Sequence, residues 1–298
     1  MEKIRAKIFK GAATALITPF KSGEIDFDSF GRIIDRQIES KISAIVVCGT
    51  TGEASALTVE EHLKCVEFAV SRVNKKIPVI AGTRNNCLDK AKYLSLKTCE
   101  LGADALLVVT PYYNKANAEG LIKYYSEIAD LSTKPIILYN VPSRTGVNIP
   151  LDVYLKLSEH ENIAGVKEAS GNISGIATLS SKVREDFAIY SGNDDQILPI
   201  LSLGGSGVIS VVSNLFPFET QRLCDYYFDR DTENARKLQL ELMDIINALF
   251  SDVNPIPIKY AMNAFGYCSG EIRPPLTEAA AQIKHKIDQL LLKYQSIL

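Results

Sequence analysis

Ala44-Ile-Val-Val-Cys48, a segment with apolar side chains at Leu63, Val66, Val70 and Val73, and Pro78-Val-Ile-Ala-Gly82 together make the unit on which the fold turns. Both short runs are almost wholly apolar, as strands covered on two faces are. The spacing of three and four between them gathers the apolar residues on one side of a helix. Outward from this unit the alternation continues. Apolar runs stand at 12–18, 44–48, 78–82, 105–110, 135–139, 163–166, 188–190 and 207–211, eight in all, and helical spacing recurs between them, as at Phe30, Ile33, Ile34 and Ile38. Eight strand-then-helix units predict a (β/α)8 barrel, a TIM barrel, over residues 1–230. A doubly wound sheet shares the alternation, and the count of eight favours the barrel. From Asp231 onward the strand pattern stops, and stretches at 234–250, 256–265 and 277–297 predict a C-terminal helical region over 231–298.

Composition narrows the class of function. Among 298 residues, 33 basic and 35 acidic side chains leave a net charge of −2, which argues against a nucleic-acid partner. An apolar share of 46% with no single-sign or Gly/Pro/Ser-rich tract predicts a compact soluble protein. The apolar run at 11–18 is stopped by Pro19, far short of the ~20 residues of a membrane span, so neither a membrane partner nor a targeting segment is expected. Six cysteines without a C-x-x-C pair are read as reduced, buried thiols, which favours the cytoplasm. On that reading Asn172-Ile-Ser is a chance match to a glycosylation acceptor.

A barrel of this kind carries its chemistry at the carboxyl ends of its strands. There the sequence has Gly49-Thr-Thr-Gly-Glu53, Pro111-Tyr-Tyr-Asn-Lys115, Asn140-Val-Pro-Ser-Arg144-Thr-Gly146 and Val166-Lys-Glu-Ala169. Lys167 is the leading candidate. An amine facing a barrel mouth with little water is biased toward its neutral form, a nucleophile for a ketone or aldehyde. The plainer alternative pairs it with Glu168, although adjacent strand residues point to opposite faces. Tyr139, at the end of the preceding strand, suits proton transfer to and from a carbinolamine, or is an ordinary core tyrosine. Thr50 and Thr51 lie in a glycine-flanked turn entering a helix, where N–H groups favour a carboxylate or a threonine simply caps the helix. The Arg144 fork fits another carboxylate, or is solvated. Tyr112 and Tyr113 on a loop tip suit burial against a partner subunit, or packing within the chain. The three histidines, His62, His160 and His285, form no metal-ligand pattern and no nucleotide-binding glycine motif occurs, so neither metal nor nucleotide cofactor is expected. The stretch Leu203-Gly-Gly-Ser-Gly-Val208 is read as a glycine turn into the eighth strand.

With Gly49-Thr-Thr-Gly-Glu53, Tyr139-Asn-Val-Pro-Ser-Arg-Thr-Gly146 and Gly165-Val-Lys-Glu-Ala169 in hand, the chain resembles, over nearly its whole length, the dihydrodipicolinate synthase family. That family sits among the lysine-dependent pyruvate aldolases, which include N-acetylneuraminate lyase. The resemblance implies condensation of pyruvate with L-aspartate 4-semialdehyde, without a cofactor, in lysine and diaminopimelate biosynthesis. It implies that Lys167 forms an imine with pyruvate, that Tyr139, Thr50 and Tyr113 relay protons, and that Tyr113 comes from a neighbouring subunit. Thr51 and the backbone at Ile209 would hold pyruvate, and Arg144 the semialdehyde carboxylate. A homotetramer built as a dimer of dimers is likewise implied. Some members bind lysine through two histidines and a glutamate; here Val59, His62 and Lys90 correspond, and a cation at Lys90 predicts weak or absent lysine inhibition. Competing readings are a sugar-acid aldolase using the same lysine and a non-catalytic carboxylate-binding barrel.

Overall fold

A computed structural model of the chain describes residues 7–294. Eight parallel strands close into a barrel: β1 (Gly11–Ala15), β4 (Ala44–Val47), β5 (Val79–Gly82), β6 (Ala105–Val109), β7 (Ile136–Asn140), β8 (Ile163–Glu168), β9 (Ala188–Ser191) and β10 (Gly207–Ser210). β1 pairs with both β10 and β4, which closes the ring. A small hairpin, β2 (Phe20–Lys21) and β3 (Glu24–Ile25), follows β1. The (β/α)8 expectation is met.

Helices α1 (Phe27–Glu39), α2 (Val59–Val73), α3 (Leu88–Glu100), α4 (Ala118–Leu131), α5 (Pro142–Thr145), α6 (Leu151–Ser158), α7 (Ile173–Ser180), α8 (Ile197–Ser202) and α9 (Pro217–Phe228) connect and surround the strands. Their starts are written in the sequence. Asp26 caps α1 through the Ser29 N–H, Thr58 and Glu61 form a reciprocal capping box on α2, and Asn172 caps α7 through the Gly175 N–H, a local role for the Asn-Ile-Ser tripeptide.

Strand alternation splits the core into two layers. Ala44, Val46, Ile137, Tyr139 and Tyr190 fill the barrel interior, while Ile45, Val47, Ile136 and Leu138 pack outward against the helices. The C-terminal region comprises α10 (Thr232–Glu241), α11 (Met243–Leu249), α12 (Ile256–Ala264) and α13 (Ala281–Lys293). Among the described residues no helix is long and apolar enough to cross a membrane.

Several sequence boundaries shift. The first strand ends at Ala15, not Thr18: ahead of Pro19 the chain leaves the sheet, where the Ile17 N–H donates to Asn214 Oδ1 and Thr18 Oγ1 to Gly52 O. The sixth runs on through Lys167 and Glu168. The 234–250 stretch is two helices, broken at the buried Leu242, whose ψ of −8° turns the chain so that α11 can bury Ile245, Ala248 and Leu249. In the 277–297 stretch the helix begins only at Ala281, because Ala280 is extended and Ala279 is buried in a strap leading to it; residues 295–297 of that stretch lie outside the described residues. Cys87 is exposed, whereas the other five cysteines are buried and free.

Candidate active site

Register places the key pair. Tyr139 and Lys167 are Cα partners across β7 and β8, and Lys167 is in turn opposite Tyr190 of β9. Lys167 is 5% exposed, and its Nζ lies 4.5 Å from the centre of the Tyr139 ring. Glu168 points away on the outer face, where its carboxylate accepts from Tyr154 Oη at 2.7 Å, Asn140 Nδ2 at 3.1 Å and the Ser170 N–H at 2.7 Å. These three donors hold Glu168 outside the barrel, so the Lys167–Glu168 pairing is not formed. Gly192, after β9, leaves room for the amine: a Cβ there would stand 2.6 Å from Ala169 Cβ and 3.1 Å from Lys167 Cε.

Lys167 and Tyr139 share a small inner chamber with Thr50, Thr51, Cys48 and Arg84. A larger pocket of about 280 Å³ lies alongside, lined by Thr50, Arg84, Tyr112, Arg144, Asn254 and Arg273 among others. Thr50 and Arg84 belong to both cavities. Arg144 is delivered by the one-turn helix α5, which opens on Pro142 and is closed by Gly146 at φ 66°, a left-handed angle suited to glycine. Its guanidinium donates to Asn254 O at 3.2 Å, and Asn254 Nδ2 donates to Thr51 Oγ1 at 3.0 Å, so the C-terminal region reaches the strand-end turns.

The turn carrying Thr50 and Thr51 differs from expectation. It leads into a short 3-10 segment, Ala54–Ala56, and α2 starts only after Thr58. The reason is Glu53. Its backbone is left-handed at φ 50°, and its buried carboxylate pairs with Lys259 of α12 at 2.5 Å while accepting from the Arg273 N–H at 3.1 Å. Lys259 in turn donates to Glu271 O at 2.6 Å and sits 4.0 Å over the Phe20 ring. Cys48 and Tyr113 are also left-handed, at φ 56° and 69°. Strained backbone of this kind gathers at sites that need a fixed geometry.

The structure thus brings Lys167, Tyr139, Thr50 and Thr51 around one chamber and sets Arg144 on the adjoining pocket. Ile209 is buried on β10 within the barrel interior but does not line either cavity. Tyr113 stands apart from both, 92% exposed on its loop, while Tyr112 turns inward to the outer pocket. Sequence reasoning missed Arg84, Asp194 and Asn254. Arg84 follows the 78–82 run and Asp194 follows the 188–190 run at the same barrel end, so the strand-end rule applied to every strand finds both. Asn254 carries no such signal. Asp194 is fully buried; its Oδ2 accepts the Val211 and Val212 N–H groups at 3.0 and 2.9 Å, fixing the chain just beyond β10. Burial pushes its carboxyl up, opposed by those hydrogen bonds and by the Lys167 charge. His62, behind the chamber wall, is pushed down to about 4 by burial and by the Arg84 charge. No cluster of three or more His, Cys, Asp or Glu side chains able to hold a metal occurs among the described residues.

A buried amine beside a phenol, with a carboxylate-sized turn on one side and a guanidinium-lined pocket on the other, is equipped to form and resolve an imine of a keto acid. Comparison with known proteins points the same way. The model of the dihydrodipicolinate synthetase family matches residues 8–294. A 4-hydroxy-tetrahydrodipicolinate synthase of Caldicellulosiruptor saccharolyticus is 50% identical over 288 residues, covering 96% of this chain and 97% of the relative. The crystal structure of dihydrodipicolinate synthase from Aquifex aeolicus superposes with a TM-score of 0.95 at 42% identity, over 97% of this chain and 99% of that one. A monomeric dihydrodipicolinate synthase variant superposes with a TM-score of 0.95 at 39% identity, over 98% of each chain.

Proposed function

Because the chain belongs to the dihydrodipicolinate synthetase family, we propose that Lys167 and Tyr139 carry out its reaction, the condensation of pyruvate with L-aspartate 4-semialdehyde to 4-hydroxy-tetrahydrodipicolinate. The chain is an enzyme of lysine and diaminopimelate biosynthesis. The observation that carries the residue assignment is the Lys167 amine 4.5 Å over the Tyr139 ring, with Glu168 turned away.

The Lys167 amine attacks the pyruvate ketone, and the carbinolamine loses water to give the imine. Tyr139 passes protons in that step, a reading supported by its sharing the chamber with Lys167 and Thr50. Thr51, in the chamber wall, holds the pyruvate carboxylate. Loss of a methyl proton turns the imine into an enamine, and its carbon attacks the aldehyde of the second substrate, whose carboxylate Arg144 receives. The amine of that substrate then attacks the imine carbon, closes the ring and releases Lys167 unchanged. One water leaves per turnover, and no electron acceptor or donor is consumed.

Tyr113 supports an assembly of several copies. A tyrosine 92% exposed on a left-handed tip is explained when a second copy covers it and receives its hydroxyl in the proton relay, in a homotetramer built as a dimer of dimers. The experiment is pyruvate consumption without added metal, offering L-aspartate 4-semialdehyde, N-acetylmannosamine or a simple sugar aldehyde. Consumption with the semialdehyde alone is expected; turnover only with a sugar aldehyde would reassign the outer pocket.

A further inference from the structure

The outer pocket holds more uncommitted positive charge than Arg144 alone supplies. Three guanidiniums line it, those of Arg84, Arg144 and Arg273. Arg273 is spent: it forks onto Glu61 at 2.8 and 2.6 Å and donates to Ala56 O and Gly23 O. Arg84 has no carboxylate partner among the described residues, and its guanidinium meets the Ser55 hydroxyl. Its stem starts beside β5 in the wall of the inner chamber, while Ser55, at its tip, lines the outer pocket and not the chamber. Arg84 therefore passes the throat between the cavities and puts its charge where Arg144 puts its own. Burial, together with the neighbouring Arg144 cation, disfavours the charged guanidinium, and the nearby Tyr112 and Tyr139 oppose this effect. A sheltered cation of this kind is stabilised when a ligand brings an anion to it.

We propose that Arg84 is a second carboxylate-binding residue of this site, acting with Arg144 on the carboxylate of the second substrate and so setting selectivity for an anionic aldehyde. A carboxylate has about four lone-pair sites, enough for two guanidinium forks. The inference rests on the reading of this pocket as the second-substrate site and extends it to a residue just beyond β5.

Arg84→Gln and Arg84→Lys test it by steady-state kinetics with each substrate varied in turn, alongside borohydride trapping of pyruvate on the protein. Losing one charge-assisted contact predicts a KM for the semialdehyde raised about 10- to 100-fold in Arg84→Gln, with kcat changed far less. Pyruvate trapping stays within about twofold, and Arg84→Lys recovers part of the loss, because the charge returns without the fork. A semialdehyde KM within about twofold of the unaltered enzyme, in a variant whose melting temperature is preserved, overturns the proposal. So does an equal rise in the pyruvate KM, which would mark Arg84 as a support of the chamber. Failure of the unaltered protein to trap pyruvate would instead sink the assignment of Lys167, a distinguishable result.

Discussion

Replacing Lys259 by Met should strip the Thr50–Glu53 turn of its anchor and destabilise the chain by about 3–5 kcal/mol. The Lys259 amine and the Glu53 carboxylate are each 1% exposed and 2.5 Å apart. At an effective dielectric of about 20, that separation corresponds to about 7 kcal/mol of attraction. Removing two ions from water costs several kcal/mol each, so the intact pair adds little net stability. Burial in fact outweighs Glu53 and holds Lys259 below its ordinary pKa. The asymmetry lies in breaking it. Lys259→Met leaves the carboxylate with the Arg273 N–H and no cation at contact, and leaves a left-handed Glu53 without the partner that fixed it. In the double variant Glu53→Gln/Lys259→Met the uncompensated charge is gone, and at least half of the loss should return. Urea unfolding followed by circular dichroism at fixed protein concentration measures both, provided the slope is unchanged. Because Thr51 is two residues from Glu53, activity should fall in the single variant before stability limits it. A loss below about 1 kcal/mol, or a double variant no more stable than the single, would refute the argument that this pair holds the turn.

Gly192→Ala should push on the Lys167 amine, since its Cβ would meet Ala169 Cβ at 2.6 Å and Lys167 Cε at 3.1 Å. Overpacking costs about 1–3 kcal/mol; turnover should fall more than tenfold, and unchanged kcat would show that the chamber yields freely. Acid should act through His62: the native imidazole is held at about 4 against an ordinary 6.5, so below pH 6.5 the unfolded chain binds a proton that the folded chain refuses. Its contribution, whole above pH 6.5, declines by about 3 kcal/mol as pH falls to 4. Denaturation at pH 7 and 4.5 should show a shallower acid loss in His62→Gln, and equal losses would contradict the assignment.

The barrel was legible because strands covered on both faces are apolar throughout and the helices between them are apolar on one side; the run at 44–48 and the spacing from Leu63 to Val73 both fell where the chain folds so. Lys167 and Tyr139 were legible for the same reason, being polar groups at the ends of such runs. Boundaries were less so. Leu242 breaks a helix from within an apolar pattern that continues across it, and the chain leaves the first strand before Thr18 because distant segments take over its bonds, the Asn214 side chain at the Ile17 N–H and the Gly52 carbonyl at the Thr18 hydroxyl. Glu53 illustrates what local reading cannot supply: its neighbours Lys259 and Arg273 are more than two hundred residues away, and their contact redirects a turn that by itself reads as a helix start. Asn254 was hidden likewise, since the rule that searches strand ends does not search the connection between α11 and α12.

The central claim is that the Lys167 amine forms an imine with pyruvate. The most direct measurement is borohydride reduction of the protein with pyruvate, followed by mass spectrometry of the peptide spanning residues 163–169. A mass gain corresponding to reduced pyruvate on Lys167, lost in Lys167→Ala, is the predicted result; trapping that persists in Lys167→Ala, or that maps to another lysine, would contradict the account.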